Sequence, residues 1–129
     1  MEASAPRGRI LVADDEPFIR SILKTVLESN SFQVDTKPDG TAALEAVQGA
    51  DHYDLILLDI MMPGATGLEV LKQIRGMEKL RSTPVVILTA KGQDADRQTA
   101  LTLGANDFLT KPFSPKKLLA RIKEILDEA

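Results

Sequence analysis

Five side chains suited to phosphoryl chemistry stand where apolar runs stop. Asp14 and Asp15 follow Ile10-Leu11-Val12-Ala13, and Asp59 ends Leu55-Ile56-Leu57-Leu58. Thr89 ends Pro84-Val85-Val86-Ile87-Leu88, and Lys111 lies just past Asp107–Thr110. Three carboxylates in one pocket repel each other, so either their pKa values rise or a cation neutralises them. One lysine cannot offset three acids. A hard divalent ion can, and Mg²⁺ takes few carboxylates plus waters and phosphate oxygens. One carboxylate is then free to act as a nucleophile, and carboxylate nucleophiles form acyl phosphates. Lys111 offers a mobile point charge to a phosphoryl oxygen, and Thr89 a hydroxyl hydrogen bond. Phosphoryl transfer asks mainly for positioning and charge neutralisation, and this set supplies both. Taken singly, each residue has a plainer reading. An Asp after a strand is usually a helix cap, a Thr at a strand end is a strand residue, and a Lys is solvated. Their joint placement at four strand ends favours the chemical reading.

The elements that must position them alternate in type. The apolar runs at 10–13, 55–58 and 84–88 suit parallel strands buried on both faces. Phe32–Thr36 alternates and reads as a strand nearer the edge. Between them lie stretches with helical period. One carries Phe18, Ile19, Ile22, Leu23, Val26 and Leu27, another Ala43, Leu44 and Val47, and a third Leu68, Leu71 and Ile74. Thr66 and Glu69 have the spacing of a capping box. Gln93–Leu103 is a weaker helix, with a thin stripe of Ala95, Leu101 and Leu103, closed by Gly104. Ser114 caps a last helix with Pro115 in its first position and Leu118, Leu119, Ile122, Ile125 and Leu126 inward. Five β-then-α units predict an α/β fold with right-handed crossovers, too few for an eight-fold barrel. An open, doubly wound, five-stranded parallel sheet of order 2-1-3-4-5 puts strands 1 and 3 side by side at the switch point, where ligands bind. Asp14, Asp15 and Asp59 then converge.

Composition removes other chemistries. The chain has 129 residues, enough for one domain, with 43% hydrophobic and 27% charged residues. Without cysteine there is no disulfide, thiolate metal site or cysteine nucleophile. The single histidine, His52, reads as an ordinary surface residue with nothing nearby to tune it. A net charge of −3 argues against direct nucleic-acid binding. The lack of a long apolar run or secretory h-region argues against a membrane span and for the cytoplasm. Residues 1–8 read as a flexible leader and 9–129 as the domain.

The set Asp14-Asp15, Asp59, Thr89 and Lys111-Pro112 resembles the receiver domain of two-component response regulators, of the chemotaxis-regulator kind. Leu-Val-Ala-Asp-Asp-Glu-Pro from Leu11, Asp-Ile-Met-Met-Pro-Gly from Asp59 and Leu-Thr-Ala-Lys from Leu88 carry the likeness. So do Gly-Ala-Asn-Asp-Phe from Gly104 and Thr-Lys-Pro-Phe from Thr110, and the likeness covers Arg9 to Leu126. It implies a flavodoxin-like (βα)5 fold and Asp59 as phosphoacceptor. Asp15 would bind Mg²⁺ directly, with Asp14 helping and the Met61 carbonyl a third protein ligand. Thr89 and Lys111 would contact the phosphoryl group, the Lys111–Pro112 bond would be cis, and Phe108 would be the aromatic switch paired with Thr89. The implied donor is a sensor histidine kinase or histidine phosphotransfer protein, with partner choice near Phe18–Ser21 and Pro112–Ser114. The implied output surface is Gln93–Leu103, Asp107–Thr110 and Pro115–Asp127, which would meet a downstream protein or output domain, or a second copy after phosphorylation. Such a chain catalyses only its own phosphorylation and dephosphorylation.

Met61 and Lys91, two residues beyond Asp59 and Thr89, offer no acid or amide to orient an attacking water. Slow self-dephosphorylation, on the order of minutes or longer, is therefore expected. Two other functions compete. A phosphatase with an Asp nucleophile needs an acid–base residue two positions beyond Asp59, where Met61 stands. A flavin module needs a phosphate cradle rich in Ser, Thr and Gly after the first strand, where Asp14-Asp15-Glu16 stands instead.

Overall fold

The structure is a computed structural model that describes residues 8–49, 52–90 and 95–128. Its strands are β1 (Gly8–Ala13), β2 (Phe32–Lys37), β3 (Leu55–Asp59), β4 (Val85–Thr89) and β5 (Asp107–Thr110). Its helices are α1 (Pro17–Glu28), α2 (Gly40–Gly49), α3 (Gly67–Gly76), α4 (Ala95–Thr102) and α5 (Pro115–Glu128). All strand pairs are parallel, in the order β2-β1-β3-β4-β5. This is the doubly wound sheet expected from the alternation of elements. Positions 1–7 of the expected leader lie outside the described residues. Gly8 does not belong to it. It pairs with Phe32 as the first residue of β1, against Asp54, whose Oδ2 a Cβ at Gly8 would approach to 2.9 Å.

Alternation along the central strands builds two cores. Leu11, Ala13, Ile56, Leu58, Val85 and Ile87 pack on one face beneath α2, α3 and α4. Ile10, Val12, Leu55, Leu57, Val86 and Leu88 pack on the other beneath α1 and α5. These strands read as unbroken apolar runs because both faces are covered. Edge strand β2 buries only Phe32 and Val34 and turns Gln33 to solvent.

Local chemistry ends the helices as their sequences require. Asp39 Oδ1 accepts the Ala42 N–H at 2.7 Å to start α2. The α3 capping box forms in full, with Glu69 N–H on Thr66 Oγ1 and Thr66 N–H on Glu69 Oε1. Gly104, at φ 105°, closes α4 while its N–H bonds to Leu101 and that of Ala105 to Ala100, the paired bonds of a Schellman turn. The stripe of α4 differs from expectation: Ala100 is buried and Leu101 is exposed. A small side chain suits a helix that must lie close to the sheet. A single 3₁₀ turn at Glu78–Leu80, too short to show a period, buries Leu80.

One polar cluster ties β1 and β2 to the segment just before β3. Asp35 Oδ2 accepts Tyr53 Oη at 2.7 Å and Arg9 Nη2 at 2.7 Å, and the Arg9 guanidinium lies 4.8 Å from the Tyr53 ring centre. Burial alone would raise the pKa of Asp35, but the Tyr53 and Arg9 hydrogen bonds outweigh it and hold the carboxyl below its usual value. Tyr53→Phe removes one of those donors while keeping the ring. A loss of about 1.5 kcal/mol in urea unfolding at pH 7 is expected, and an unchanged midpoint would show the phenol to be dispensable. His52 is exposed as expected, but the Asp54 carboxylate sits 2.8 Å from its Nε2.

Candidate functional site

Strand register brings the expected residues to one end of the sheet. Ala13 pairs with Leu58, so Asp14, the next residue, is level with Asp59. Asp59 pairs with Leu88, and Thr89 with Thr110, which places Lys111 one step beyond Thr89. The ladder continues past the strands: Asp14 N–H bonds to Lys37, Ile60 N–H to Leu88 and Lys111 N–H to Thr89. The backbone of Asp14, Asp59, Thr89 and Lys111 is therefore held on a neighbouring strand.

Asp14, Asp15, Glu16 and Asp59 each present a carboxylate oxygen within 4.8 Å of the others. Asp14 and Asp59 are buried, whereas Asp15 and Glu16 are exposed. Lys111 Nζ lies 2.8 Å from Asp14 Oδ2, 2.8 Å from Glu16 Oε1 and 3.4 Å from Asp59 Oδ2. Asp14 Oδ1 accepts the Glu16 N–H at 2.9 Å, and Arg20 Nη1 donates to the Asp14 carbonyl at 2.7 Å. Asp14 Oδ2 is fully buried and has no aligned hydrogen-bond donor, so its contact with Lys111 is Coulombic. Thr89 is fully buried, with Oγ1 3.3 Å from the Ala90 carbonyl oxygen. The Lys111–Pro112 bond is cis.

The electrostatics follow from this crowding. Burial, then the Asp14 charge, push Asp59 up to about 7, against the pull of Lys111. Burial would lower the pKa of Lys111, but the adjoining carboxylates of Asp14, Glu16 and Asp59 raise it above its usual value. Four carboxylates around one ammonium leave an excess of negative charge. An unsatisfied buried carboxylate oxygen beside three others is what a hard divalent cation neutralises, so the donor set fits Mg²⁺.

The structure brings together Asp14, Asp15, Asp59 and Lys111, with Thr89 one strand away. Met61 is exposed beside them, and Lys91 lies outside the described residues. Phe108 is buried in the core beneath α4, on the face shared with Ile87, with the Arg97 guanidinium 5.9 Å from its ring centre. Sequence reasoning passed over Glu16 as a partner of Lys111. The only signal was a third acid directly after Asp14-Asp15.

A family model described as the response regulator receiver domain matches residues 10–123. The transcriptional regulatory protein ResD of Bacillus subtilis is 45% identical over 94% of this chain and 49% of its own length. The phosphate regulon regulatory protein PhoB of Escherichia coli is 45% identical over 92% of this chain and 51% of its own. The chain thus spans about half the length of the curated relatives it matches. Among solved structures, the receiver domain of Francisella response regulator 1452 superposes with a TM-score of 0.86 at 34% identity, covering 95% of this chain and 98% of that one. The chemotaxis regulator CheY4 of Vibrio cholerae gives 0.86 at 31%, covering 95% and 99%.

Proposed function

The chain belongs to the response regulator receiver domain family of two-component systems, and from that premise we propose that Asp59 is its phosphoacceptor. The observation that carries this is a buried Asp59 at the switch point between β1 and β3, ringed by three further carboxylates and Lys111. An Asp59 oxygen attacks phosphorus, the bond from phosphorus to the donor breaks, and the donor leaves with its electron pair. Asp14, Asp15, Asp59 and the Met61 carbonyl would hold Mg²⁺, which when bound neutralises the carboxylates and phosphoryl oxygens. Lys111 moves its ammonium onto a phosphoryl oxygen. Thr89 turns its hydroxyl from the Ala90 carbonyl to another, with Phe108 filling the space on the same sheet face.

The donor is a histidine kinase or histidine phosphotransfer protein. A groove of about 200 Å³ beside Lys111, lined by Phe18, Ile22, Pro112 and Phe113, supports docking near the acceptor. Phe18 is 72% exposed there. The readout is contact with a downstream protein, an output domain or a second copy through α4, β5 and α5. Among the described residues, no helix is long and apolar enough to cross a membrane, and cytoplasmic action with protein partners rather than nucleic acid is the reading. Exposed Met61 supplies no group to orient water, so the acyl phosphate persists for minutes or longer.

Incubation with acetyl phosphate, with and without Mg²⁺, tests the assignment by intact mass. A gain of one phosphoryl group only with Mg²⁺ is expected. No gain with acetyl phosphate or with a phosphorylated kinase would overturn it.

A further inference from the structure

Lys111 is shared unequally. Its ammonium is 2.8 Å from Asp14 Oδ2 and Glu16 Oε1 but 3.4 Å from Asp59 Oδ2. Nothing in the helix requires a glutamate at position 16. It is the N-cap of α1, where short polar side chains are preferred, and its side chain makes no cap hydrogen bond. Its backbone is held on both sides instead. The Glu16 N–H donates to Asp14 Oδ1 at 2.9 Å, its carbonyl accepts the Arg20 N–H at 3.1 Å, and Pro17 follows. A fixed backbone with a side chain free of capping turns the carboxylate onto Lys111.

We infer that Glu16 is a positioning residue that draws the Lys111 ammonium toward the rim of the pocket, strengthening cation binding and slowing phosphoryl uptake. The inference rests on Asp59 being the phosphoacceptor. One ammonium charge is divided among three carboxylates, and phosphoryl oxygens arriving at Asp59 compete with Glu16 for it. The Glu16 charge also attracts a divalent cation and repels an anionic phosphoryl donor. Its removal therefore acts in opposite directions on the two steps, whereas general damage to the site weakens both.

Three measurements on the wild type, Glu16→Gln and Glu16→Asp decide this. The dependence of melting temperature on Mg²⁺ concentration gives cation affinity, and intact mass at saturating Mg²⁺ gives the rate of uptake from acetyl phosphate. The ¹H–¹⁵N signal of the Lys111 ammonium, recorded without Mg²⁺ or phosphoryl donor, reports the contact itself. Glu16→Gln is expected to weaken Mg²⁺ about two- to fivefold and speed uptake about two- to fivefold, the size of an exposed ion pair, and to shift the Lys111 signal. Glu16→Asp keeps the charge but loses the reach, so it keeps the Mg²⁺ affinity, gains part of the rate and shifts the signal. Slower uptake in Glu16→Gln, or an unchanged rate and signal, overturns the inference. If the wild type takes up no phosphoryl group, the acceptor reading fails and the rate effect with it. The Lys111 signal and Mg²⁺ affinity still decide the contact in that case.

Discussion

Asp59→Asn will accept no phosphoryl group from acetyl phosphate, and in Mg²⁺-free buffer at pH 8 it will melt above the wild type. The first effect is total because an amide is not a nucleophile toward phosphorus in this chemistry. The second follows from crowding. Burial and the Asp14 charge push the Asp59 carboxyl from an ordinary 3.8 to about 7. Its folded pKa lies above its unfolded one, so between pH 4 and 7 the folded protein holds a proton that the unfolded chain has released. The group's contribution to stability is therefore fully present below about pH 4 and is lost as pH rises through 7. At pH 8 the folded protein must hold the ionised carboxylate beside Asp14, with Lys111 as partial compensation. Asparagine removes that charge at almost constant shape. A gain of about 2 kcal/mol is expected at pH 8, seen as a rise in melting temperature of roughly 5–10 °C, shrinking toward zero near pH 4. Added Mg²⁺ should raise the wild type more than the variant, because binding to the folded state stabilises it. Equal melting curves for the two proteins at pH 8 without Mg²⁺ would mean that Lys111 fully offsets the carboxylate cluster.

The features legible in the sequence were those with a period or a sharp stop. Leu55-Ile56-Leu57-Leu58 ending in Asp59 marked both a doubly covered strand and the end at which the carboxylates gather, since apolar side chains cannot continue where the sheet opens to solvent. The same logic located Asp14, Thr89 and Lys111. Thr66 with Glu69 announced the start of α3 because a capping box is a local arrangement. Contacts made by tertiary approach left no such mark. Arg75 donates to the carbonyls of Leu80, Thr83 and Gly104 and to Asn106 Oδ1, joining the end of α3 to the loop before β5. Backbone carbonyls are present in every sequence, so nothing singles out an arginine that will meet them. Burial of Ala100 rather than Leu101 was hidden for a related reason. With few apolar residues in α4, periodicity could not fix which face met the sheet. Glu16 was visible as a third acid, but its reach to Lys111, 95 positions away, depends on both loops.

Gly67 carries the largest consequence of that kind. It is the first residue of α3, and its N–H donates to the Ile60 carbonyl at 2.9 Å. A Cβ there would lie 2.3 Å from the Asp59 carbonyl oxygen and 3.0 Å from Ile60 Cα. Both obstacles are backbone, so no side-chain rotation relieves them. Gly67→Ala must push α3 away from the end of β3 or twist the segment that carries Asp59. α3 is anchored by Val70, Leu71 and Ile74, all fully buried, so the segment around Asp59 should share the displacement. Overpacking of this kind costs about 3 kcal/mol, and a displacement near 1 Å at the acceptor costs on the order of 100-fold in rate. Phosphoryl uptake from acetyl phosphate should fall at least tenfold under conditions where circular dichroism shows the variant folded. Gly76→Ala is the matched control at the other end of the helix. A Cβ at Gly76 meets nothing within 4 Å, and alanine favours a helix over glycine by up to about 1 kcal/mol. It should melt at or slightly above the wild type and take up phosphoryl at the wild-type rate. If Gly67→Ala keeps full uptake, the backbone of Asp59 and Ile60 can give way without moving the carboxylate, and the close approach of α3 serves stability alone.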